Sequence, residues 1–127
     1  MERDEAALNQ LTEKIIGAAI EVHRTLGPGL LESIYESALA IEMNQRNLPF
    51  VRQKPVQVKY KDVFAGDLRI DLIVADAVIV EIKAISGIDR VHEAQLLTYM
   101  RLSGCPLGLL INFNVPRLLD GLKRMRL

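Results

Sequence analysis

The spacing of apolar residues changes once along this chain, from a helical period to an extended one, close to residue 49. Upstream, Leu8, Leu11, Ile15, Ala18, Val22 and Leu26 recur at intervals of three and four, one stripe of an amphipathic helix from about residue 6 to Leu26. Residues 1–6 are expected to fray. Gly27-Pro28-Gly29 breaks the helix, because proline blocks continuation and glycine admits unusual backbone angles. A second helix is expected from Leu30 to about Arg46, with Leu31, Ile34, Ala38 and Ile41 on its buried side, ended by Asn47 and Pro49. Downstream the period is two. Val56, Val58 and Tyr60 alternate with Gln57 and Lys59 as a half-buried strand, and Lys61 to Gly66 reads as a turn or bulge. Leu68, Ile70, Leu72 and Val74 alternate with Arg69, Asp71 and Ile73 as a second strand. Ala75-Asp76-Ala77 leads into a β-branched third strand, Val78 to Ala84. A third helix, Ile88 to Leu102, precedes an apolar run, Leu107 to Phe113, that suits a strand buried on both faces. Asn114-Val115-Pro116 opens a short terminal helix through Leu118, Leu119 and Leu122. The order α-α-β-β-β-α-β-(α) predicts an α/β (α+β-like) fold, a mixed central sheet of about four strands flanked by helices.

At 127 residues the chain is expected to be one domain, 1–127. Half of it is hydrophobic and a quarter charged, which excludes a wholly disordered chain, a collagen-like repeat and a disulfide scaffold. Cys105 is the only cysteine and cannot pair within the chain, so a reducing cytoplasm is the expected compartment. No apolar run approaches the roughly 20 residues of a membrane-spanning helix, and MERDEAALNQ lacks the basic-then-apolar order of a signal peptide. Sixteen basic residues balance sixteen acidic ones. The balance conceals an asymmetry, because residues 1–45 carry eight acids against three bases and residues 46–127 thirteen bases against eight acids. A basic surface from the second half fits this pattern, as do two solvated faces of opposite sign.

The stretch RIDLIVADAVIVEIKAI, residues 69–85, concentrates the chemistry. Glu81 and Lys83 lie two apart on a strand and therefore point to one face. With a three-residue connection Ala75 to Ala77 and Val74 opposite Val78, Asp71 falls opposite Glu81, their Cβ atoms about 4.5–5.5 Å apart. Directly opposed carboxylates destabilise a sheet unless they are neutralised, by Lys83 in part and by a divalent cation more fully. Oxygen-only ligation suits Mg²⁺ or Mn²⁺. A surface cross-strand ion-pair patch accounts for the same residues, and a two-residue loop would turn Asp71 away from Glu81.

Asp71, nine residues, then Glu81-Ile82-Lys83 resembles the core of the PD-(D/E)XK nuclease superfamily. Gly29-Leu30-Leu31-Glu32-Ser33-Ile34-Tyr35 spells G-x-x-E-x-x-Y, the signature that names the GxxExxY protein family within it, and Gln95 and Tyr99 in QLLTYM are similar to the glutamine-bearing helix of these nucleases. The resemblance runs from about Leu11 to Leu119. Ile70 stands where the superfamily's name has proline. The resemblance implies a restriction-endonuclease-like core acting on DNA or RNA. Asp71, Glu81 and the Ile82 carbonyl would hold Mg²⁺ or Mn²⁺, and Lys83 would orient a water and stabilise developing charge at phosphorus. Glu32 would be a further active-site acid; without the resemblance, its place in a first helical turn is sufficient explanation. Tyr35, one turn later, would pack beside Glu32 or reach the phosphate. Gln95 and Tyr99, adjacent on their helix, would face the carboxylates.

His23 and His92 have no metal-ligand partner at useful spacing, and Cys105 has no Cys-His pattern around it. The leading expectation is a metal-dependent nuclease with Arg52, Lys54, Arg69, Arg90 and Arg101 as candidate phosphate contacts, whose binding should be salt-sensitive. The alternative is a catalytically silent nuclease-fold domain serving as a protein-interaction or homo-oligomer module. A hydrolase of a small phosphorylated molecule is a third reading.

Overall fold

The computed structural model describes residues 4–127. Asp4 starts the first helix, its carboxylate accepting from the Ala7 amide at 2.7 Å, and α1 runs Glu5–Leu26. The stretch expected to fray is thus helical from Glu5, while residues 1–3 lie outside the described residues. Helix α2 is Glu32–Gln45. The sheet comprises β1 Phe50–Tyr60, β2 Val63–Val74, β3 Val78–Lys83, β4 Leu107–Asn112 and β5 Leu122–Arg126, with α3, Arg90–Ser103, between β3 and β4. Strands lie in the order β1-β2-β3-β4-β5. All neighbours are antiparallel except β3 and β4, which are parallel and joined through α3.

Alternation along the central strands sorts their side chains between two apolar layers. Val78, Val80 and Ile82 pack with Leu107, Leu109 and Ile111 against α1 and α2. Ile79 and Leu110 point the other way, onto Leu96 and Met100 of α3. Gly108 lets α3 sit this close, since a Cβ there would lie 2.8 Å from both Leu96 Cδ1 and Met100 Sδ.

The structure corrects the expected layout in five places, four of them in the bounds or faces of elements. First, β1 begins at Phe50 rather than Val56. Pro55, which argues against a strand interior, is tolerated because β1 is an edge strand. Second, the segment expected to be a turn or bulge contracts to Lys61–Asp62, both with left-handed φ (49° and 64°), as a tight hairpin turn requires; Val63–Gly66 is strand. Third, the terminal helix is a single 3-10 turn, Leu118–Gly121, followed by β5. The sheet therefore has five strands, not about four, because the open edge of β4 supplies backbone partners to a short tail with no strand signal of its own. Fourth, α2 buries Tyr35, Glu36, Leu39, Ala40 and Met43. Leu31 and Ile41, expected inside, are 70% and 58% exposed. Apolar residues occupy both sides of this helix, and the inward side is the one on which Tyr35 stacks on Phe113, ring centroids 4.6 Å apart.

The alternation also slips within β2. Leu72 and Val74 face α1 and α2, but Ile70, expected on the same face, joins the α3 layer with Ile73, and Leu68 packs against that layer. The slip coincides with a gap in the β1–β2 ladder. Arg52↔Leu72 and Lys54↔Ile70 are paired, while Gln53 and Asp71 between them are not, and Gln53 has a φ of 52°.

Candidate active site

The β2–β3 hairpin has the register that three connecting residues impose, with Val74↔Val78, Ile73↔Ile79 and Leu72↔Val80 paired. Asp71 and Glu81 follow, and there the backbone ladder gives way to a reciprocal pair of side-chain bonds. Asp71 Oδ2 accepts from the Ile82 amide at 2.9 Å, and Glu81 Oε1 accepts from the Asp71 amide at 3.3 Å. Glu81 is only 4% exposed. Burial, then the charge of Asp71, push its carboxyl up to about 9, so Glu81 keeps its proton at neutral pH. The Ile82 amide faces β2, and in an extended strand the carbonyl of the same residue points the same way, toward Asp71.

Lys83, on the same face as Glu81, donates from Nζ to Gln95 Oε1 at 3.2 Å, and Gln95 Nε2 donates to the Tyr99 hydroxyl at 3.0 Å. Burial pushes the Tyr99 phenol up, with Glu81 adding to the rise. These two α3 residues thus cover the carboxylates from one side. From the other comes the first turn of α2, where burial pushes the Glu32 carboxyl up, Lys83 opposing and Asp71 and Glu36 reinforcing the shift. Glu32 is thereby within electrostatic reach of Asp71 and Lys83, with no hydrogen bond to either.

Tyr35 is not part of this group. Its hydroxyl donates to the Gly27 carbonyl and accepts from the Leu30 amide at 3.1 Å, so it clamps the loop ahead of α2. Gly27 and Gly29 have φ of 71° and 101°, values that suit glycine. The Gly29-x-x-Glu32-x-x-Tyr35 pattern thus has a local meaning: Tyr35 fixes the loop that delivers Glu32.

Three residues around the site escaped the sequence reading. Glu36, 8% exposed, accepts from Arg52 at 3.0 Å and from Gln53 Nε2 at 2.8 Å; its signal was the i, i+4 spacing from Glu32, which puts both acids on one face. Gln53 also donates to Asp71 Oδ1 at 3.4 Å, and nothing in its neighbours announces this. Asn112, a polar residue ending an apolar strand, bonds both backbone groups of Ile85 and so anchors the chain leaving Lys83.

Of the candidate phosphate contacts, Arg52 is held by Glu36 and Arg69 by the Gln53 carbonyl at 3.1 Å, while Lys54, Arg90 and Arg101 are exposed. His23 bonds the Val115 carbonyl at 2.8 Å, His92 Nδ1 accepts from the Asp89 amide, and Cys105 is buried. Among the described residues, no cluster of three or more His, Cys, Asp or Glu side chains is arranged to hold a metal, and no helix is long and apolar enough to cross a membrane.

The family model of the PD-(D/E)XK nuclease superfamily matches residues 9–125. The chain belongs to the PD-(D/E)XK nuclease superfamily. No curated protein and no solved structure matches it. Membership accounts for the mixed sheet with helices on both faces and supports a nuclease-like function, and nucleases of this superfamily generally use divalent metal ions.

Proposed function

We propose that this protein is a divalent-metal-dependent nuclease that hydrolyses DNA or RNA phosphodiester bonds, with Asp71, Glu81, Lys83, Glu32, Gln95 and Tyr99 as its working residues. The observation that carries the reading is the abutting pair of half-buried Asp71 and buried Glu81 at an interruption of the sheet, with Lys83 on the same strand as Glu81. Two abutting carboxyl groups, of which Glu81 is raised by burial and by the charge of Asp71, suit a hard cation that takes the place of the Glu81 proton. Asp71, Glu81 and the Ile82 carbonyl would hold Mg²⁺ or Mn²⁺; such ions keep several waters and need only one or two carboxylates beside substrate phosphate. That donor set agrees with a site of fewer than three acidic ligands. When bound, the cation would polarise the scissile phosphate and acidify a water.

The chain's own groups supply the rest. Gln95 holds the Lys83 ammonium, which would offset negative charge gathering on the phosphate. Tyr99 orients Gln95. Glu32, its acid raised by burial, would bind or pass a proton at the water. The exposed Lys54 and Arg69, the latter held by the Gln53 carbonyl, suit a phosphodiester backbone. The Gly29–Tyr35 pattern supports the GxxExxY family as the branch within the superfamily.

One observation favours a second reading, a silent domain that binds a protein partner or a second copy. Leu31, Ile34 and Ile41 leave an exposed apolar strip on the outer side of α2. Single- and double-stranded DNA and RNA incubated with Mg²⁺, Mn²⁺ or EDTA separate the two. The nuclease reading expects cleavage that needs metal and falls at least 100-fold in Lys83→Ala while Mn²⁺ affinity stays within threefold. Absence of cleavage with metal on all four substrates favours the silent domain.

A further inference from the structure

Left-handed backbone at a residue other than glycine is unusual within a strand and persists only where its surroundings hold it. Gln53 is such a residue, with φ 52° in the middle of β1. Its neighbours Arg52 and Lys54 remain paired to β2, so the distortion neither ends the strand nor shifts its register. Its effect is local. Opposite Gln53, Asp71 of β2 is left without a β1 partner, as Ala65 is at the separate bulge between Val58 and Lys59, and beyond Asp71 β2 turns its apolar side chains to the other layer.

The side chain acts on the same residue. Both groups facing the Gln53 amide are carboxylate oxygens, which can only accept, so its nitrogen must face them. One N–H goes to Glu36 Oε1 at 2.8 Å and the other toward Asp71 Oδ1 at 3.4 Å. Glu36 is fixed independently, buried and paired with Arg52 at 3.0 Å. A chain of contacts therefore runs from α2 through Gln53 to Asp71. With Oδ2 of Asp71 held by the Ile82 amide, each carboxylate oxygen has its own donor. Arg69, two residues from Asp71, bonds the Gln53 carbonyl and ties the same turn of backbone from the other strand.

We infer that Gln53 is a positioning residue for the Asp71–Glu81 pair: its left-handed backbone frees Asp71 from the β1 ladder, and its amide tethers the freed carboxylate to Glu36. The inference rests on the reading of Asp71 and Glu81 as the metal-holding pair and assigns that pair a support on β1, a strand that carries none of the motif residues. Groups that orient metal ligands typically govern affinity 10–100-fold when lost.

The test is calorimetric titration of Mn²⁺ into wild type, Gln53→Gly and Gln53→Asn, with melting temperature measured on the same metal-free samples. Glycine accepts the left-handed backbone without strain, and asparagine tolerates it but is one methylene too short to bridge Glu36 and Asp71. Positioning predicts Mn²⁺ affinity at least tenfold weaker in both variants, at a melting temperature equal to or above that of wild type for Gln53→Gly. A purely structural role predicts a changed melting temperature with wild-type affinity, and that result overturns the inference. If Gln53→Gly melts early, Gln53→Asn decides: wild-type affinity in a folded Asn variant overturns the inference equally. Failure of the wild type itself to bind Mn²⁺ removes the metal reading and this inference with it, whereas wild-type binding unaltered in the variants removes the inference alone.

Discussion

Replacing Glu81 by glutamine removes a titrating group while preserving the space it fills and the bonds it makes. The amide keeps an oxygen for the Asp71 N–H and offers Asp71 an N–H where the protonated acid offers an O–H. In the folded, metal-free protein Glu81 titrates at about 9, mainly through burial and then through Asp71, against 4.5 for an ordinary glutamate. The folded value lies above the unfolded one, so the native state retains a proton that the unfolded chain releases. Below about pH 4.5 both states are protonated and nothing is lost; from there to about 9 stability falls by about 1.4 kcal/mol per pH unit. At pH 7 the accumulated loss is about 3 kcal/mol, a large share of the 5–15 kcal/mol typical of a domain. In EDTA, Glu81→Gln should therefore exceed wild type in stability by about 3 kcal/mol at pH 7 and by almost nothing near pH 4.5. Urea denaturation of both proteins from pH 4.5 to 8.5 measures this, and their difference isolates Glu81 because every other group titrates in both. Mn²⁺ at 1,000 times Kd should reverse the order at pH 7, since binding at that excess adds about 4.1 kcal/mol to the protein that binds. A difference that does not change with pH would refute the proton held by the Asp71–Glu81 pair.

Other consequences concern the frame around the site. Tyr35→Phe deletes a hydroxyl that bonds Gly27 and Leu30 and leaves the Phe113 stack in place. Urea denaturation should show a loss of about 1–3 kcal/mol, and Mn²⁺ titration an affinity close to wild type, because Tyr35 acts on the loop and not on the carboxylates. Gly108→Ala drives a methyl to within 2.8 Å of Leu96 and Met100 and should cost about 1–3 kcal/mol by overpacking. A melting curve unchanged in Gly108→Ala would contradict the close seating of α3.

Helix α1, strands β3 and β4 and the order of elements up to β4 were legible because segments with clean periods or continuous apolar runs leave one arrangement of their apolar faces. Leu8, Leu11, Ile15, Ala18 and Val22 are all buried, as their spacing requires. The face of α2 was not legible, since Leu31, Ile34 and Ile41 make as good a stripe as Tyr35, Leu39 and Met43, and only the partner Phe113, far along the chain, chooses between them. Nor was β5, whose pairing depends on the edge that β4 leaves open. At the site, local counting was enough for Asp71 opposite Glu81, because a hairpin's loop length sets its register. Gln53 and Glu36 depend on β1 lying against α2, a long-range juxtaposition. The reversal at Gln53 breaks the alternation that made Leu68 through Val74 look like one face. The placement of Tyr35 had a further cause: its spacing from Glu32 puts the two on one side of α2, but the hydroxyl turns back to the Gly27–Leu30 loop.

The central claim, a divalent cation held by Asp71 and Glu81, is tested most directly by calorimetric titration of Mn²⁺ into wild type and Asp71→Ala at pH 7. The account predicts saturable binding in wild type, with proton release as the cation displaces the proton of the pair, and no saturable binding in an Asp71→Ala variant that still unfolds cooperatively. An absence of binding in wild type, or equal binding in the two proteins, would contradict it.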